Sequence, residues 1–214
     1  MTSGFYARPT LEVARDLIGK VLEHETPGGL ASGIIVEAEA YIGEDDPACH
    51  AAAGLTARTA PLYGPPGCAY VYFNYGMHFL VNAVTGREGF PAACLIRALE
   101  PLDGIALMHD RRGRGRASAV HHDHELCRGP ANLTRALGID LGQNRVSLAT
   151  SALRIVDRGM VRAPVAWSPR IGIRVGLDRP WRVYVVGNRC VSAARPLSGV
   201  AAPAAGPGPS RPAR

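Results

Sequence analysis

Glu37, Glu39 and Tyr41 occupy alternate positions in Ile35-Val-Glu-Ala-Glu-Ala-Tyr41. In a strand, successive side chains point to opposite faces, so these three share one face. Two carboxylates beside an aromatic suit a cleft, where a carboxylate held among apolar groups can serve as a general base. The commoner outcome of such an alternation is two solvated acids on the open face of an antiparallel sheet. Arg97 lies inside the apolar run Cys94-Leu-Ile-Arg-Ala-Leu99. A buried, unpaired guanidinium is very costly, so Arg97 needs a carboxylate partner, and Glu37, Glu39 and Glu100 are the candidates. Such a pair can hold a nucleophilic water or be a structural ion pair, and the sequence fits both.

Aromatic residues form a second set. His50, in Pro47-Ala-Cys-His-Ala51, read alone is a hydrogen-bonded structural histidine. Tyr70 and Tyr72 share a strand face and become a stacking platform only if that face borders a cleft. Asn74-Tyr75-Gly76 separates two apolar, β-prone runs, Ala69 to Phe73 and Phe79 to Val84, which predicts a hairpin with an aromatic at its tip. Folding gains little from a tyrosine there, whereas a wedge for a stack of bases needs one. The chain has 24 Lys and Arg against 18 Asp and Glu, a net charge of +6 and a pI near 9.4. That balance favours a polyanionic partner, although an ordinary basic enzyme fits it as well.

Other motifs exclude more than they assign. His121, His122 and His124 have the spacing of no closed metal site, so no metal is expected. Gly64-Pro-Pro-Gly67 lacks the Lys-Ser/Thr of a phosphate loop, and no cofactor motif is present. Five cysteines without C-x-x-C spacing argue against a disulfide scaffold and for a reducing cytoplasm. No run reaches membrane-spanning length and no signal peptide is visible, so no membrane partner is expected.

The elements that must position these residues follow from periodicity and breakers. Thr10 is a plausible N-cap for a helix through Ile18, ended by Gly19. Lys20 to Glu25 and Leu30 to Tyr41 read as a long hairpin about the Thr26-Pro-Gly-Gly29 turn. A loop-and-helix region spans Asp45 to Leu62. The Ala69 to Val84 hairpin and a strand from Ala92 to Leu99 come next. Pro101 opens a helix to about Arg112, 113–123 reads as a mobile loop, and a helix after Cys127-Arg-Gly-Pro130 ends near Gly138. Strands at 154–156, 171–175 and 181–186 complete a single α+β domain over 1–193, mainly antiparallel. The Ala, Pro, Gly and Arg content of 194–214 predicts a disordered tail.

Several stretches then match a family in order. Val36-Glu-Ala-Glu-Ala-Tyr-Ile-Gly43, Asp46-Pro-Ala-Cys-His50, Gly67-Cys-Ala-Tyr-Val-Tyr-Phe-Asn-Tyr-Gly-Met-His78 and Phe90-Pro-Ala-Ala-Cys-Leu-Ile-Arg-Ala-Leu-Glu-Pro101 resemble the alkyladenine (3-methyladenine) DNA glycosylases. So do Leu126-Cys-Arg-Gly-Pro130, Pro169-Arg-Ile-Gly-Ile173 and Pro180-Trp-Arg-Val-Tyr184. The resemblance covers about residues 8 to 192. It implies a curved sheet with flanking helices and a protruding, DNA-intercalating hairpin. It implies a monomeric enzyme that flips alkylated purines such as 3-methyladenine and 7-methylguanine from double-stranded DNA and hydrolyses the base–sugar bond without a cofactor. Neutral ethenoadenine and hypoxanthine stay open as substrates, and the alternative is a non-catalytic lesion-binding module of the same fold.

The resemblance also assigns roles. Glu39, rather than Glu37, is implied as the base that activates water, with Arg97 and the backbone carbonyl near Ile171 helping to hold it. Tyr41, His50 and Tyr72 are implied as walls around the base, and Asn82 as the group obstructing the 2-amino group of guanine. Tyr75 is implied as the wedge with Met77 beside it, and Arg58 and Arg128 as DNA-backbone contacts. Departures from the family pattern are Asn74 before the wedge, Thr59 after Arg58, and Asn132 in place of a lysine. Lys20 is the only lysine, outside every matched motif, so strand cleavage through a side-chain Schiff base is not expected.

Overall fold

The computed structural model describes residues 1–113, 122–160 and 163–192. The expected tail, His121 and most of the expected mobile loop lie outside the described residues. In chain order the elements are α1 (Ser3–Tyr6), α2 (Thr10–Leu17), β1 (Val21–Thr26), β2 (Gly29–Ile42), β3 (Ala69–Asn74), β4 (His78–Val84) and β5 (Ala92–Asp103). They continue with α3 (Ile105–Gly113), α4 (Pro130–Leu137), β6 (Leu153–Val156), β7 (Val165–Ser168) and β8 (Arg182–Val185). Short 3-10 turns include His50–Ala53 and Ala60–Tyr63.

The eight strands of the described residues form one curled antiparallel sheet, a half-barrel in the order β3-β4-β5-β2-β1-β6, with β8 joining β2 to β7. The long strand β2 is its spine. β5 runs along one edge, while the other edge is divided between β1, which pairs with Gly29 to Ile34, and β8, which pairs with Glu37 to Glu39. One strand serving two partners on one edge must bend, and two of its three register shifts against β5 lie where those partners change over. Ile35 faces Leu99, Glu37 faces Ala98 and Ala38 faces Ile96, so Val36 on β2 and Arg97 on β5 each fall between paired positions. Such bulges bend a strand and re-aim side chains. Here they turn Arg97 towards the face that carries Glu37 and Glu39.

The other face of the sheet holds the main core. Leu17 of α2, Met108 of α3 and Leu133 and Leu137 of α4 are buried together with Leu22, Ile35, Ile96 and Leu99 of the strands. Proline in its first turn and left-handed Gly138 at its end bound α4, and the Thr134 hydroxyl donates to the Phe79 carbonyl at 2.7 Å, tying the helix to β4.

Three sequence expectations are corrected. Thr10 is the first helical residue rather than the cap, which is Pro9; its hydroxyl instead accepts from Thr85 at 3.0 Å. The helix expected from Pro101 begins at Ile105, because β5 continues to Asp103 against β2. Pro101 is tolerated where the register shifts beside Gly33, so its missing N–H breaks no regular ladder. Residues 171–175 are not a strand; the nearby strand is β7, and the backbone at Ile171 is committed to side-chain partners instead.

Gly104 makes the turn between β5 and α3 at φ +73°, where an added Cβ would lie 2.1 Å from the Leu30 carbonyl oxygen. Gly104→Ala is therefore expected to lower unfolding stability by about 2 kcal/mol or more, read from urea denaturation. A loss within experimental error would show that this turn is not tightly packed.

Candidate active site

Glu37 and Glu39 are fully buried, which removes the solvated reading. Arg97 joins them: its Nε donates to Glu37 Oε1 at 3.1 Å, and its Nη1 to Glu39 Oε2 at 3.2 Å and to the Ile171 carbonyl at 3.4 Å. Glu100 takes no part and accepts from the Asn188 side chain. Glu39 is satisfied on both oxygens. The Ile171 N–H donates to Oε1 at 2.7 Å and the Tyr41 hydroxyl to Oε2 at 2.9 Å. The Ile171 peptide thus meets the acid with its N–H and the arginine with its carbonyl.

A second buried ion pair fixes that peptide. Arg170 donates to both oxygens of Asp46, at 2.5 and 2.8 Å, and to the Ala40 carbonyl at 3.0 Å; both side chains are inaccessible. Its guanidinium lies 4.6 Å from the Tyr41 ring centroid and 5.2 Å from that of Trp181. Asp46 also accepts from the N–H groups of Ile42 and Ala48, which anchors the segment leading to His50. Burial pushes the Asp46 carboxyl upward, but the hydrogen bonds and charge of Arg170 outweigh it and hold the group below its usual range.

Beside these charges opens a cavity of about 400 Å³. Tyr41, His50, Tyr70 and Tyr72 wall it, with Asn82, Arg97 and Ile171 also exposed to its interior. His50 stands edge-on to Tyr72 at 4.5 Å between centroids, and its Nδ1 is 2.9 Å from the Tyr70 hydroxyl. Burial, with Arg58 nearby, lowers the His50 pKa and keeps the imidazole neutral at pH 7. Burial raises the Tyr41 and Tyr72 hydroxyls well above the usual phenol range, and Glu39 adds to this at Tyr41, so both stay protonated. Asn82 donates from Nδ2 to the Tyr70 carbonyl, which fixes its amide against the wall. The arrangement can stack a planar ring between aromatic faces, with the Arg97 guanidinium and Ile171 at the wall and the Glu39 carboxylate buried against both.

The hairpin tip adjoins this cavity, since Asn74 and Tyr75 line its rim. Tyr75 is 84% exposed, Met77 70% and Phe73 44%. Tyr75 also has φ +49°, a left-handed conformation uncommon for a large side chain. Arg58 lies over the Tyr72 ring at 5.5 Å, while Arg128 donates to the Val191 carbonyl. Of the departing residues, Thr59 is buried in a local network with Thr56 and Gly54, and Asn132 donates to the Arg128 carbonyl.

Of the predicted residues, Arg97, Tyr41, His50, Tyr72, Asn82 and Ile171 line one cavity, while Glu39 lies fully buried behind its wall, bonded to Tyr41, Arg97 and Ile171. The sequence reading did not assign Asp46, Arg170 or Arg182. Arg182 donates to Glu37 at 2.6 Å and Glu37 also accepts from the Ser192 N–H at 2.7 Å. Asp46, Arg170 and Arg182 lie within motifs already noted, and a demand for charge balance around two buried acids could have flagged both arginines. Among the described residues no His, Cys, Asp or Glu cluster could hold a metal, and no helix is long and apolar enough to cross a membrane.

A family model described as methylpurine-DNA glycosylase matches residues 4–189. A protein of Methanocella arvoryzae named "Putative 3-methyladenine DNA glycosylase" is 45% identical over 195 residues, 90% of this chain and 95% of its own length. Proteins of the same name from Burkholderia cenocepacia (49% over 195 residues, 90% of each chain) and Carboxydothermus hydrogenoformans (45% over 190 residues, 88% and 96%) are similar to it as well.

Breaking the Asp46–Arg170 pair leaves a buried guanidinium unmatched. Asp46→Asn is expected to destabilise the protein by about 3–5 kcal/mol at neutral pH. Because the folded-state carboxyl is held below its unfolded value, its contribution is complete above about pH 4 and is lost as pH falls through the folded value. The gap between wild type and variant in urea unfolding should therefore narrow in acid. A gap independent of pH would contradict an ionised pair.

Proposed function

The chain belongs to the methylpurine-DNA glycosylase family, and we propose that it is a monofunctional glycosylase acting as a monomer on alkylated purines in duplex DNA. The observation that carries this reading is the adjacency of an exposed aromatic tip and an aromatic cavity walled in part by Arg97 and Ile171, both of which are hydrogen-bonded to the buried Glu39. A base inside a duplex is out of reach of any buried carboxylate, so the nucleotide must swing out and the gap must be filled. Tyr75, with Met77 beside it, is the wedge that fills the gap. Unstacking costs about a few kcal/mol, offset by the wedge and by stacking in the cavity.

Tyr41, His50 and Tyr72 take the extruded ring. Alkylation at N3 or N7 makes a purine cationic, and a cation binds well against electron-rich faces. It also weakens the glycosidic bond, because the base departs neutral. A water held by Glu39, the Arg97 guanidinium and the Ile171 carbonyl attacks C1′ of the sugar. Its proton passes to Glu39, and the bonding electrons of the C1′–N bond leave with the base, giving an abasic site. Asn82, held by Tyr70, meets the 2-amino group of an unmodified guanine and disfavours it. Arg58 and Arg128 contact the DNA backbone. Hypoxanthine and ethenoadenine lack the positive charge and would be slower substrates unless the cavity supplies a hydrogen bond to the base.

The lysine inventory supports water as the nucleophile. Lys20, the only lysine, is ion-paired with Asp157 and does not line the cavity, and the N-terminal amine donates to the Ile155 carbonyl. Duplex DNA carrying 7-methylguanine should release free base and leave alkali-labile sites. Glu39→Gln should abolish release, lowering it by on the order of a hundredfold or more, while DNA binding survives. Binding without release by the wild type would favour a lesion-binding module. Borohydride should trap no covalent protein–DNA adduct; a trapped adduct would contradict a monofunctional enzyme. Tyr75→Ala should slow excision from duplex more than from single strands, and equal slowing on both would count against the wedge.

A further inference from the structure

Glu37 is a fully buried carboxylate in contact with the proposed machinery, yet the hydrolysis proposed above gives it no role. Its Oε1 accepts from Arg97 Nε at 3.1 Å and Arg182 Nε at 2.6 Å, and its Oε2 from the Ser192 N–H at 2.7 Å. Arg97 is thereby divided. Its Nε edge is spent on Glu37, and its Nη1 is left for Glu39 and the Ile171 carbonyl. We propose that Glu37 is a positioning residue for hydrolysis: it fixes the guanidinium of Arg97 so that one nitrogen faces the place where the attacking water sits. The inference rests on Glu39 acting as the base.

Arg182 is the counterweight in this arrangement. It shares Oε1 of Glu37 with Arg97, and its own Nη1 donates to Ser168 at 2.9 Å while its plane lies 4.3 Å from the Tyr184 ring. These contacts tie it to β7 and β8, so it cannot follow Arg97. Glu37, Glu39, Arg97 and Arg182 together carry no net charge. Arg97 alone would be pulled to whichever carboxylate lacked another partner. With Arg182 and Ser192 attending Glu37, Arg97 can bridge both acids.

Glu39 is faced by Arg97 from β5, by Tyr41 from its own strand and by the Ile171 N–H. Arg170 and Tyr72 act on it at longer range. Apart from Arg97, none of these groups is hydrogen-bonded to Glu37 or Arg182, so the two substitutions reach Glu39 through Arg97 and through the charge they remove.

The test uses the full chain, single-turnover excision of 7-methylguanine from duplex DNA across pH, and duplex affinity measured separately. Glu37→Gln should lower the plateau rate on the order of ten- to a hundredfold, with affinity within about twofold, because Arg97 is no longer oriented. Removing that negative charge should also move the acid limb of the profile to lower pH. Arg182→Gln should move the limb the opposite way, and the double variant should return it near the wild-type position. A merely structural role would lower the plateau in each variant without moving the limb. That result, an unchanged plateau in Glu37→Gln, or limbs moving the same way in both single variants would overturn the proposal. If Glu37→Gln loses cooperative thermal unfolding, the charge-balanced double variant and Arg182→Gln decide by the same limb comparison. Failure of the wild type to release base would sink the glycosylase reading, and this proposal with it. Release by the wild type with unmoved limbs would sink this proposal alone.

Discussion

Three carboxylates and three guanidiniums lie buried within one small region: Glu37, Glu39 and Asp46 against Arg97, Arg170 and Arg182. Removing any such charge from water costs several kcal/mol, and mutual attraction offsets that only when geometry is good and the remaining lone pairs and protons are satisfied. Much of the architecture can be read as meeting this condition. The paired bulges bring Arg97 to the face of the two glutamates. β8 adds to β2 beside Glu37 to Glu39 because Arg182 must reach Glu37, and the backbone near Ser192 folds back to cover the second oxygen of the same acid.

Buried ion pairs seldom add net stability over well-packed hydrophobic residues of similar volume. What the charges provide is an irregular backbone held in one conformation. The chain from Pro169 to Pro180 forms no ladder, and such a segment would ordinarily be free to move. Here the bidentate Arg170–Asp46 pair fixes one end, and the adjacent Ile171 peptide meets Glu39 and Arg97 with its two polar groups. A strand at this place would spend that N–H and carbonyl on a neighbour. The loop leaves them for the site.

This also explains what was legible in the sequence. Period-two alternation located β2 and put Glu37, Glu39 and Tyr41 on one face, and the Asn74-Tyr75-Gly76 breaker located the hairpin, because both signals are local. The extra length of β5 was hidden, since Pro101 reads as a helix start unless the register shift opposite Gly33 is known. The false strand at 171–175 arose from its apolar residues, whose backbone is in fact governed by partners more than 70 positions away in the chain. Within the site, the family resemblance rather than pattern separated Glu39 from Glu37. The ion pairs of Arg170 and Arg182 are long-range charge balance, which no periodicity encodes.

The hairpin obeys the opposite rule from the buried cluster. Its tip exposes Phe73, Tyr75 and Met77 and holds Tyr75 in a left-handed conformation, both unfavourable for a free protein. β3 and β4 can carry this cost because Phe73 packs on Phe79 at 5.0 Å between ring centroids and α4 is pinned to β4 through Thr134. A tip that relaxed onto the protein surface would cover the cavity beside it, whereas Tyr75 stays 84% exposed. The buried charges and the exposed aromatic are thus two halves of one constraint: groups of little use to folding are held in fixed places, and the curled sheet is what joins them.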